Sequence, residues 1–375
     1  MLPWINERSR LVKDVATGVD TMWSRNAFTE RLNLKWPILQ APMGSMSTPS
    51  LAAAVSSAGG LGGLGMWGLS AEDAERRING FRQQCGGGLN VNIPLWPEPN
   101  IAPHASEAMR RHLQQFYDAK GLGAVPQPRN GGAGGISDEH LSMLLRVKPE
   151  MISFHFGLPQ TEIVQAIKSA GIFIVSSATT VAEARLLERS GVDAVIAQGT
   201  EAGGHRGTFT DVPMSQQPGL FALLPQVVDA VRVPVIAAGG IADGRQVAAA
   251  FVLGASAVQL GTAFLRCGEA NVPDTHRAAL SGADDACTIV TDMMTGRPAR
   301  FIRNNLADNL VASELEPVAF PSQLTLTAPL AATGDKEYGL LFSGQSAALT
   351  KDTDAAALIQ SLAADASRYL SSFRS

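Results

Sequence analysis

Short apolar runs recur along the chain, each followed by a turn of Gly or polar residues and then by an Ala-rich stretch with helical spacing. The runs are continuously apolar rather than alternating, as parallel strands covered on both faces require. There are eight of them: Pro37 to Met43, Leu61 to Gly65, Leu89 to Pro94, Met151 to Gly157, Phe173 to Ala178, Ala194 to Gly199, Pro234 to Gly240 and Ala257 to Phe264. Eight β-then-α units predict an α/β protein of the (β/α)8-barrel class, a TIM barrel.

Local signals support the helices between these strands. Thr48-Pro49, Ser70 and Asp243-Gly244 each combine a capping side chain with a suitable start of a helix. The structural alternative is a doubly wound open sheet, whose Gly-rich fingerprint would follow the first strand. The first strand ends instead in Pro42-Met43-Gly44, which favours the barrel.

Additions to the minimal barrel are expected in four places. Residues 96–149 form a long insertion after the third strand, with a helical stretch around 105–120, and residues 200–218 form a long loop after the sixth. Such loops lie on the catalytic face of a barrel. Residues 1–31 read as an N-terminal extension, and residues 282–375 as C-terminal helices packed on the barrel, so that 1–375 is one domain.

Composition narrows the class of ligand. Only 17% of the residues are charged and the formal net charge is −4 with no basic block, which argues against nucleic acid and against a polybasic membrane patch. Neither a signal peptide nor a membrane-spanning run is evident. The three cysteines have no metal-ligand spacing, so we expect no metal and a reduced, cytoplasmic setting. A small-molecule substrate is the default, and the oligomeric state, a homo-oligomer included, stays open.

The last two predicted strands end in glycines. The seventh ends in Ala-Ala-Gly239-Gly240, and the eighth continues through Gln259 and Leu260 into Gly261 and Thr262. Barrels often bind phosphate at this place, because glycines let backbone N–H groups approach its oxygens. The alternative is that these glycines only permit tight turns. Both pairs in the correct order favour a phosphate site.

Histidines supply the candidate acid–base chemistry. His205 follows the sixth strand within Gly203-Gly204-His205-Arg206-Gly207, where ligands bind, and an imidazole suits proton abstraction near neutral pH. The alternative is a histidine that binds loop backbone. His155 ends the fourth strand, and alternation leaves open whether it or its Phe neighbours point inward. His104, His112, His140 and His276 are expected to face solvent.

The first and third strands complete the ring of candidates. Pro42 and Gly44 can hold an irregular backbone against a flat ligand, and Asn90 and Asn92 share one strand face, so that either amide can reach the edge of a heterocycle. An inward Asn can equally satisfy neighbouring backbone. We expect Asn92 to contact the ligand.

Five segments together resemble a known family: ILQAPMG (38–44), NVNIP (90–94), AQGTEAGGHRG (197–207), AAGGI (237–241) and VQLGTAFL (258–265). They are similar to the nitronate monooxygenases, class I in particular. The resemblance runs from about Asn33 to the GQSAAL segment at 344–349.

The resemblance implies FMN held without a covalent link. That no residue here would supply redox chemistry by itself agrees with a cofactor that carries it. His205 matches the family's catalytic base. The phosphate would rest on Gly204, Gly239, Gly240, Gly261 and Thr262, with Gln259 close by. Pro42 and Met43 would face the isoalloxazine, and Asn92 and Gln198 would lie near its polar edge. The implied cofactor residues are Pro42, Met43, Gly44, Asn92, Gln198, Gly203, Gly204, Gly239, Gly240, Gln259, Leu260, Gly261 and Thr262.

The implied reaction is oxidation of an alkyl nitronate, such as propionate 3-nitronate, with O2 to a carbonyl compound plus nitrite or nitrate. Neutral His205 would also deprotonate a nitroalkane. A cation for a carboxylate-bearing substrate remains open among Arg206, Arg129 and others. His155 and Tyr338 are candidate pocket residues, with a packing role for Tyr338 as the alternative.

Two other activities remain open from sequence. One is an NAD(P)H-dependent flavin reductase of quinones or enoyl thioesters, because such barrels carry similar Gly-Gly-His loops. The other is a flavin-free barrel that binds a sugar phosphate or nucleotide.

Overall fold

The computed structural model describes residues 23–130 and 132–372. Within them the strands are β1 (Ile38–Gln40), β2 (Gly62–Gly65), β3 (Leu89–Pro94), β4 (Met151–His155), β5 (Phe173–Ala178), β6 (Ala194–Gln198), β7 (Gly204–His205), β8 (Val235–Ala238), β9 (Ala257–Leu260), β10 (Thr288–Thr291) and β11 (Ala299–Ile302).

Eight of these strands form one parallel sheet in the order β1-β9-β8-β6-β5-β4-β3-β2. The sheet closes on itself, because Leu39 and Leu61 form a parallel bridge and the N–H of Gln40 donates to the carbonyl of Leu61 at 2.9 Å. The predicted (β/α)8 barrel is confirmed, and each of its strands lies within one of the eight apolar runs.

Several strands end earlier than their apolar runs. The fourth ends at His155, because Phe156 has φ of +69°. The seventh barrel strand, β8, ends at Ala238, because Gly239 and Gly240 have φ of +112° and +69°. Left-handed backbone breaks strand pairing. These turns lie at the carboxyl end of the barrel.

The helices follow the strands as the capping signals predict. Thr48 accepts from the N–H of Leu51 at 2.9 Å, Ser70 caps the next helix, and Asp243 forms a capping box with Gln246. The helices are α1 (Ala27–Leu32), α2 (Pro49–Ser57), α3 (Ala71–Arg82), α4 (Pro103–Ala119), α5 (Asp138–Val147), α6 (Thr161–Ser169), α7 (Val181–Arg189), α8 (Leu220–Ala230), α9 (Gly244–Val252), α10 (Asp274–Ser281), α11 (Asn305–Ala312), α12 (Leu324–Ala331) and α13 (Ala355–Ser372).

The barrel interior is apolar at its amino end. Phe28 and Leu32 of α1 cover this end, and Phe28 packs edge-on against Phe173 with ring centroids 5.6 Å apart. The same cluster contains the inward residues Leu39, Leu61, Met151, Val175, Ile196, Ile236 and Ala257. A plugged amino end leaves the carboxyl end for ligands.

The insertion after β3 (residues 96–149) and the C-terminal tail (residues 282–372 of the described chain) build a second apolar cluster. Met109, Leu113 and Phe116 of α4 pack with tail residues, and the hydroxyl of Tyr117 donates to the carbonyl of Leu326 at 2.9 Å. Besides its helices, the tail contains the hairpin of β10 and β11. The second of these strands pairs antiparallel with β7, so the tail reaches the carboxyl end of the barrel.

Residues 23–130 and 132–372 contain neither a membrane-spanning helix nor a cluster of metal ligands. No helix there has the length and apolar character needed to cross a bilayer. No group of three or more His, Cys, Asp or Glu side chains there has the arrangement of a metal site.

Candidate active site

His205 lies just past the carboxyl end of β6, in the short strand β7. It pairs with Ala299 of β11, and its carbonyl accepts hydrogen bonds from the side chains of Gln198 at 3.1 Å and His155 at 3.2 Å. The other end of the Gln198 amide accepts from the N–H of Gly207 at 2.7 Å. The backbone around His205 is therefore held on one side by Gln198 and His155 of the barrel and on the other by β11.

His155 points into the barrel. Its Nδ1 lies 3.0 Å from the Ser177 hydroxyl of the neighbouring strand, whereas Phe154 is buried in the layer between sheet and helices. Because a carbonyl only accepts, His155 Nε2 carries the proton that goes to His205. Nδ1 then accepts from Ser177, and both ring nitrogens are occupied. Phe156 also approaches the mouth, because its positive φ breaks the alternation.

Aromatic rings surround the imidazole of His205. The centroids of Trp67, Phe156, Phe320 and Phe342 lie 6.4, 6.1, 5.1 and 5.4 Å from its own. Trp96, the first residue of the insertion, stacks on Trp67 at 4.5 Å. His205 is thus surrounded by apolar rings that come from the loops after β2, β3 and β4 and from two segments of the tail.

This environment keeps His205 neutral. Burial, followed by smaller electrostatic contributions from His155 and the positive charge of Arg297, lowers its pKa to about 3. Burial likewise lowers the pKa of His155 to about 4. Above these values both rings are uncharged, so His205 has a basic nitrogen at neutral pH. An anion bound beside the ring would raise its pKa.

The arginines near the site differ in availability. Arg206 is fully buried, and its guanidinium donates to Gln217 at 3.0 Å and to the carbonyl of Gln198 at 2.8 Å. The side chain of Arg129 is exposed. Arg297 lies 3.9 Å above the Phe156 ring, donates to the carbonyl of Thr208, and has a buried Nε without a partner in the described chain. The positive charge of Arg297 contributes to the lowered pKa of His205.

The glycines after β6 and β8 are required by close packing. A Cβ on Gly203 would lie 2.6 Å from the backbone nitrogen of Gly344, and one on Gly239 would lie 3.0 Å from that of Ala202. Gly240 has φ of +69°, and its Cβ would meet Glu201 at 3.0 Å. The N–H groups of Gly240 and Gly261 donate to no acceptor within the described residues. These amides are available to an anion.

The tail contributes a segment to this glycine site that the local sequence did not reveal. The N–H of Gly344 donates to the Thr262 hydroxyl at 2.9 Å, and that of Gln345 donates to the carbonyl of Glu201 at 2.9 Å. The Ser346 hydroxyl donates to the carbonyl of Gly240 at 2.6 Å. Residues 344–346 thus join the strand ends. The available signal for this segment was the Gly-Gln-Ser sequence at 344–346, which from the sequence alone marks only the end of the family resemblance.

The end of β1 lies beside the glycine site. A Cβ on Gly261 would lie 3.8 Å from the sulfur of Met43, and one on Gly65 would lie 3.0 Å from the backbone nitrogen of Gly44. The N–H of Met43 donates to Ser47 at 2.7 Å. The irregular backbone at Pro42 to Gly44 is thereby held against the last barrel strand.

Two inward amides of the barrel have different partners. Asn92 donates to the carbonyl and the hydroxyl of Ser153 at 3.1 and 3.0 Å. Gln259 is paired with inward-facing Leu39, and its buried Oε1 has no partner in the described chain. Both side-chain polar atoms of Asn90 are also buried without a partner there. A buried unpaired acceptor costs roughly 1–3 kcal/mol. Gln259 therefore fits a site for a ligand that donates a hydrogen bond.

Two residues lie elsewhere than the site. Tyr338 packs against Phe116 with ring centroids 5.9 Å apart, and Lys120 Nζ lies 5.0 Å over the Tyr338 ring. These contacts fit the packing role that the sequence left open for Tyr338. The expectation that His276 faces solvent is wrong. It is 1% exposed, because the tail covers α10 and Ser343 lies 3.2 Å from its Nε2.

The fold and the site together define a class: a (β/α)8-barrel protein with unpaired backbone N–H groups after its last two barrel strands and a neutral histidine beyond the end of the sixth. Comparison with known proteins narrows this class. The nitronate monooxygenase family matches residues 25–365. A nitronate monooxygenase of Pseudomonas aeruginosa is 38% identical over 341 residues, which cover 89% of this chain and 97% of that protein.

Solved structures agree. A nitroalkane oxidase from Streptomyces ansochromogenes has a TM-score of 0.85 at 38% identity and covers 93% of this chain and 100% of its own. FabK from Thermotoga maritima has a TM-score of 0.73 at 30% identity, with coverages of 93% and 98%. The chain belongs to the nitronate monooxygenase family, and it is a flavin-dependent oxidoreductase.

Proposed function

We propose that the chain binds FMN and oxidises alkyl nitronates with O2 to a carbonyl compound plus nitrite or nitrate, propionate 3-nitronate being one such substrate. The observation that carries this proposal is the juxtaposition of a free-amide anion site with a neutral histidine enclosed by aromatic rings. Nitroalkanes would enter after loss of the proton next to the nitro group.

Several contacts support FMN rather than a ligand without phosphate. The unpaired amides of Gly240 and Gly261 suit phosphate oxygens, and the Thr262 hydroxyl, which accepts from Gly344, keeps its own proton to donate. The proposed isoalloxazine side is formed by Pro42 and Met43, next to Gly261. Its edge has the unpaired Gln259 acceptor within the barrel and the Asn92 amide.

The flavin, when bound, supplies the electron acceptor and the centre that reacts with O2. The protein's part is to orient the substrate and to exclude water. Four aromatic rings around His205 provide the apolar enclosure. A neutral imidazole there accepts the proton of a nitroalkane carbon, and Arg297, whose charge already acts on the ring, favours the anion that results.

The experiment compares His205→Asn with His104→Asn, a control at a side chain that is 79% exposed. On a neutral nitroalkane, His205→Asn should lower kcat/KM by roughly 10²- to 10⁴-fold, the usual contribution of a general base. Preformed nitronate has already lost this proton, so its turnover should be largely spared. Equal activity of the two variants on the neutral form would remove His205 from this role.

A second candidate is an NAD(P)H-dependent reductase, favoured by the 30% identity to FabK over 93% of the chain. It predicts rapid reduction of the bound flavin by NADH or NADPH. The nitronate proposal predicts reduction by nitronate without a nicotinamide.

A further inference from the structure

Thr295 binds the ring of His205 from the tail. It lies in the turn between β10 and β11 and is fully buried. Its hydroxyl oxygen is 3.1 Å from Nε2 of His205 and 2.9 Å from the carbonyl oxygen of Arg297. One hydroxyl therefore connects the imidazole to a backbone carbonyl.

The direction of these hydrogen bonds follows from their chemistry. A carbonyl oxygen only accepts, so the single hydroxyl proton of Thr295 goes to Arg297. The Thr295 oxygen then has lone pairs for His205, and Nε2 must carry a proton to use them. A neutral imidazole has one N–H, so the lone pair of His205 is on Nδ1.

Nδ1 of His205 is the open side of the ring. It has no hydrogen-bond partner among the described residues and is not among their buried unpaired atoms. His155 differs, because Ser177 and the His205 carbonyl occupy both of its nitrogens. Of His155 and His205, only His205 combines a fixed tautomer with a ring nitrogen that has no partner in the described residues.

We propose that Thr295 is a positioning residue that holds His205 as the Nε2–H tautomer, with Nδ1 as the proton acceptor. This inference rests on the proposed function. The C–H bond next to the nitro group breaks, its electron pair moves onto the nitro group to give the nitronate, and the proton forms a bond to Nδ1. The imidazolium keeps its Nε2–H bond to Thr295, which passes polarisation to the Arg297 carbonyl.

The kinetic test uses Thr295→Val, which keeps the shape but removes the hydroxyl, and Thr295→Ser, which keeps the hydroxyl. On a neutral nitroalkane, Thr295→Val should lower kcat/KM about 10- to 100-fold, part of the usual contribution of a general base. Thr295→Ser should restore most of it. Both variants should turn over preformed nitronate at near wild-type rates. Wild-type activity of Thr295→Val on the neutral form would overturn the proposal, as would equal losses on both substrates.

A direct test of the tautomer needs neither a variant at Thr295 nor a measurement of enzyme activity. Long-range ¹H–¹⁵N correlation spectra of histidine-labelled, FMN-loaded protein report which ring nitrogen carries the proton, and His205→Asn assigns the signal among the six histidines. We expect the proton on Nε2 of His205. A proton on Nδ1 overturns the role of Thr295 even if the enzyme oxidises nitronates. If the proton is on Nε2 but the FMN-loaded protein does not oxidise nitronates, the proposed function is overturned and the positioning role of Thr295 is not.

Discussion

Gly240→Ala tests the proposed phosphate site at a position where geometry gives a matched control. Gly240 has φ of +69°, and a Cβ there would lie 3.0 Å from Cβ of Glu201. Gly121, in an exposed turn, has φ of +65° and no atom within 4 Å of such a Cβ. Alanine is strained by roughly 1–2 kcal/mol in left-handed backbone at either position. The contact with Glu201 is specific to Gly240.

The expected effect at Gly240 comes from what Glu201 holds. Its carboxylate accepts from the N–H of Leu220 at 2.9 Å, and its carbonyl accepts from the N–H of Gln345 at 2.9 Å. Because Glu201 is held by these two hydrogen bonds, relief of the clash would instead shift the Gly240 backbone, and with it the amide that we propose for a phosphate oxygen. A hydrogen bond to a charged group contributes about 1.5–3 kcal/mol. FMN should therefore bind roughly 10- to 100-fold more weakly.

The assay is fluorescence titration of FMN with deflavinated Gly240→Ala and Gly121→Ala proteins, with thermal unfolding of each alongside. Both variants should lose similar stability from the backbone, and only Gly240→Ala should lose FMN affinity. Equal FMN affinity in the two variants would refute the assignment of the phosphate to this turn.

Three further predictions concern the histidines and the loop that flanks them. Burial lowers the pKa of His276 to about 4 from 6.5, so unfolding takes up a proton between these pH values and stability is lost as the pH falls through them. His276→Gln should flatten this acid-side loss by up to about 1.4 kcal/mol per pH unit, measured by urea unfolding; an unchanged slope would contradict the burial argument. Glu183 is fully buried, and its carboxylate accepts from the N–H groups of Thr179 and Phe209 at 2.7 and 2.8 Å. Glu183→Gln should therefore lower the free energy of unfolding in urea by about 1–3 kcal/mol. An unchanged free energy of unfolding would contradict the stabilising role of these hydrogen bonds. Phe320→Ala should lower the free energy of unfolding by about 3–5 kcal/mol. It should also raise the pKa of His205 in an NMR titration, because the Phe320 ring, with its centroid 5.1 Å from that of the imidazole, helps to bury His205. An unchanged pKa of His205 would contradict this argument.

The barrel was predictable because its signal is local. Continuous apolar runs mark strands that are buried on both faces, and capping residues such as Thr48 and Asp243 begin the helices where expected. Strand ends were less predictable. Phe156 adopts positive φ although phenylalanine gives no signal for left-handed backbone in its sequence.

The site was predictable only in the parts that follow barrel strands. His205 and the glycines stand in short motifs at strand ends, where ligands bind in such folds. Thr295, Phe320 and Phe342 come from the tail, whose strand β11 pairs with β7, and all three lie beside His205. Contacts across 90 residues of sequence, as between His205 and Thr295, leave no local pattern.

Anaerobic mixing of the FMN-loaded protein with substrate tests the central claim most directly. With propionate 3-nitronate, the absorbance of the oxidised flavin should disappear, whereas NADH and NADPH should leave it unchanged. Rapid bleaching by a nicotinamide with no effect of nitronate would contradict the account and favour the reductase. A protein that stays colourless after FMN is added would contradict both flavin assignments.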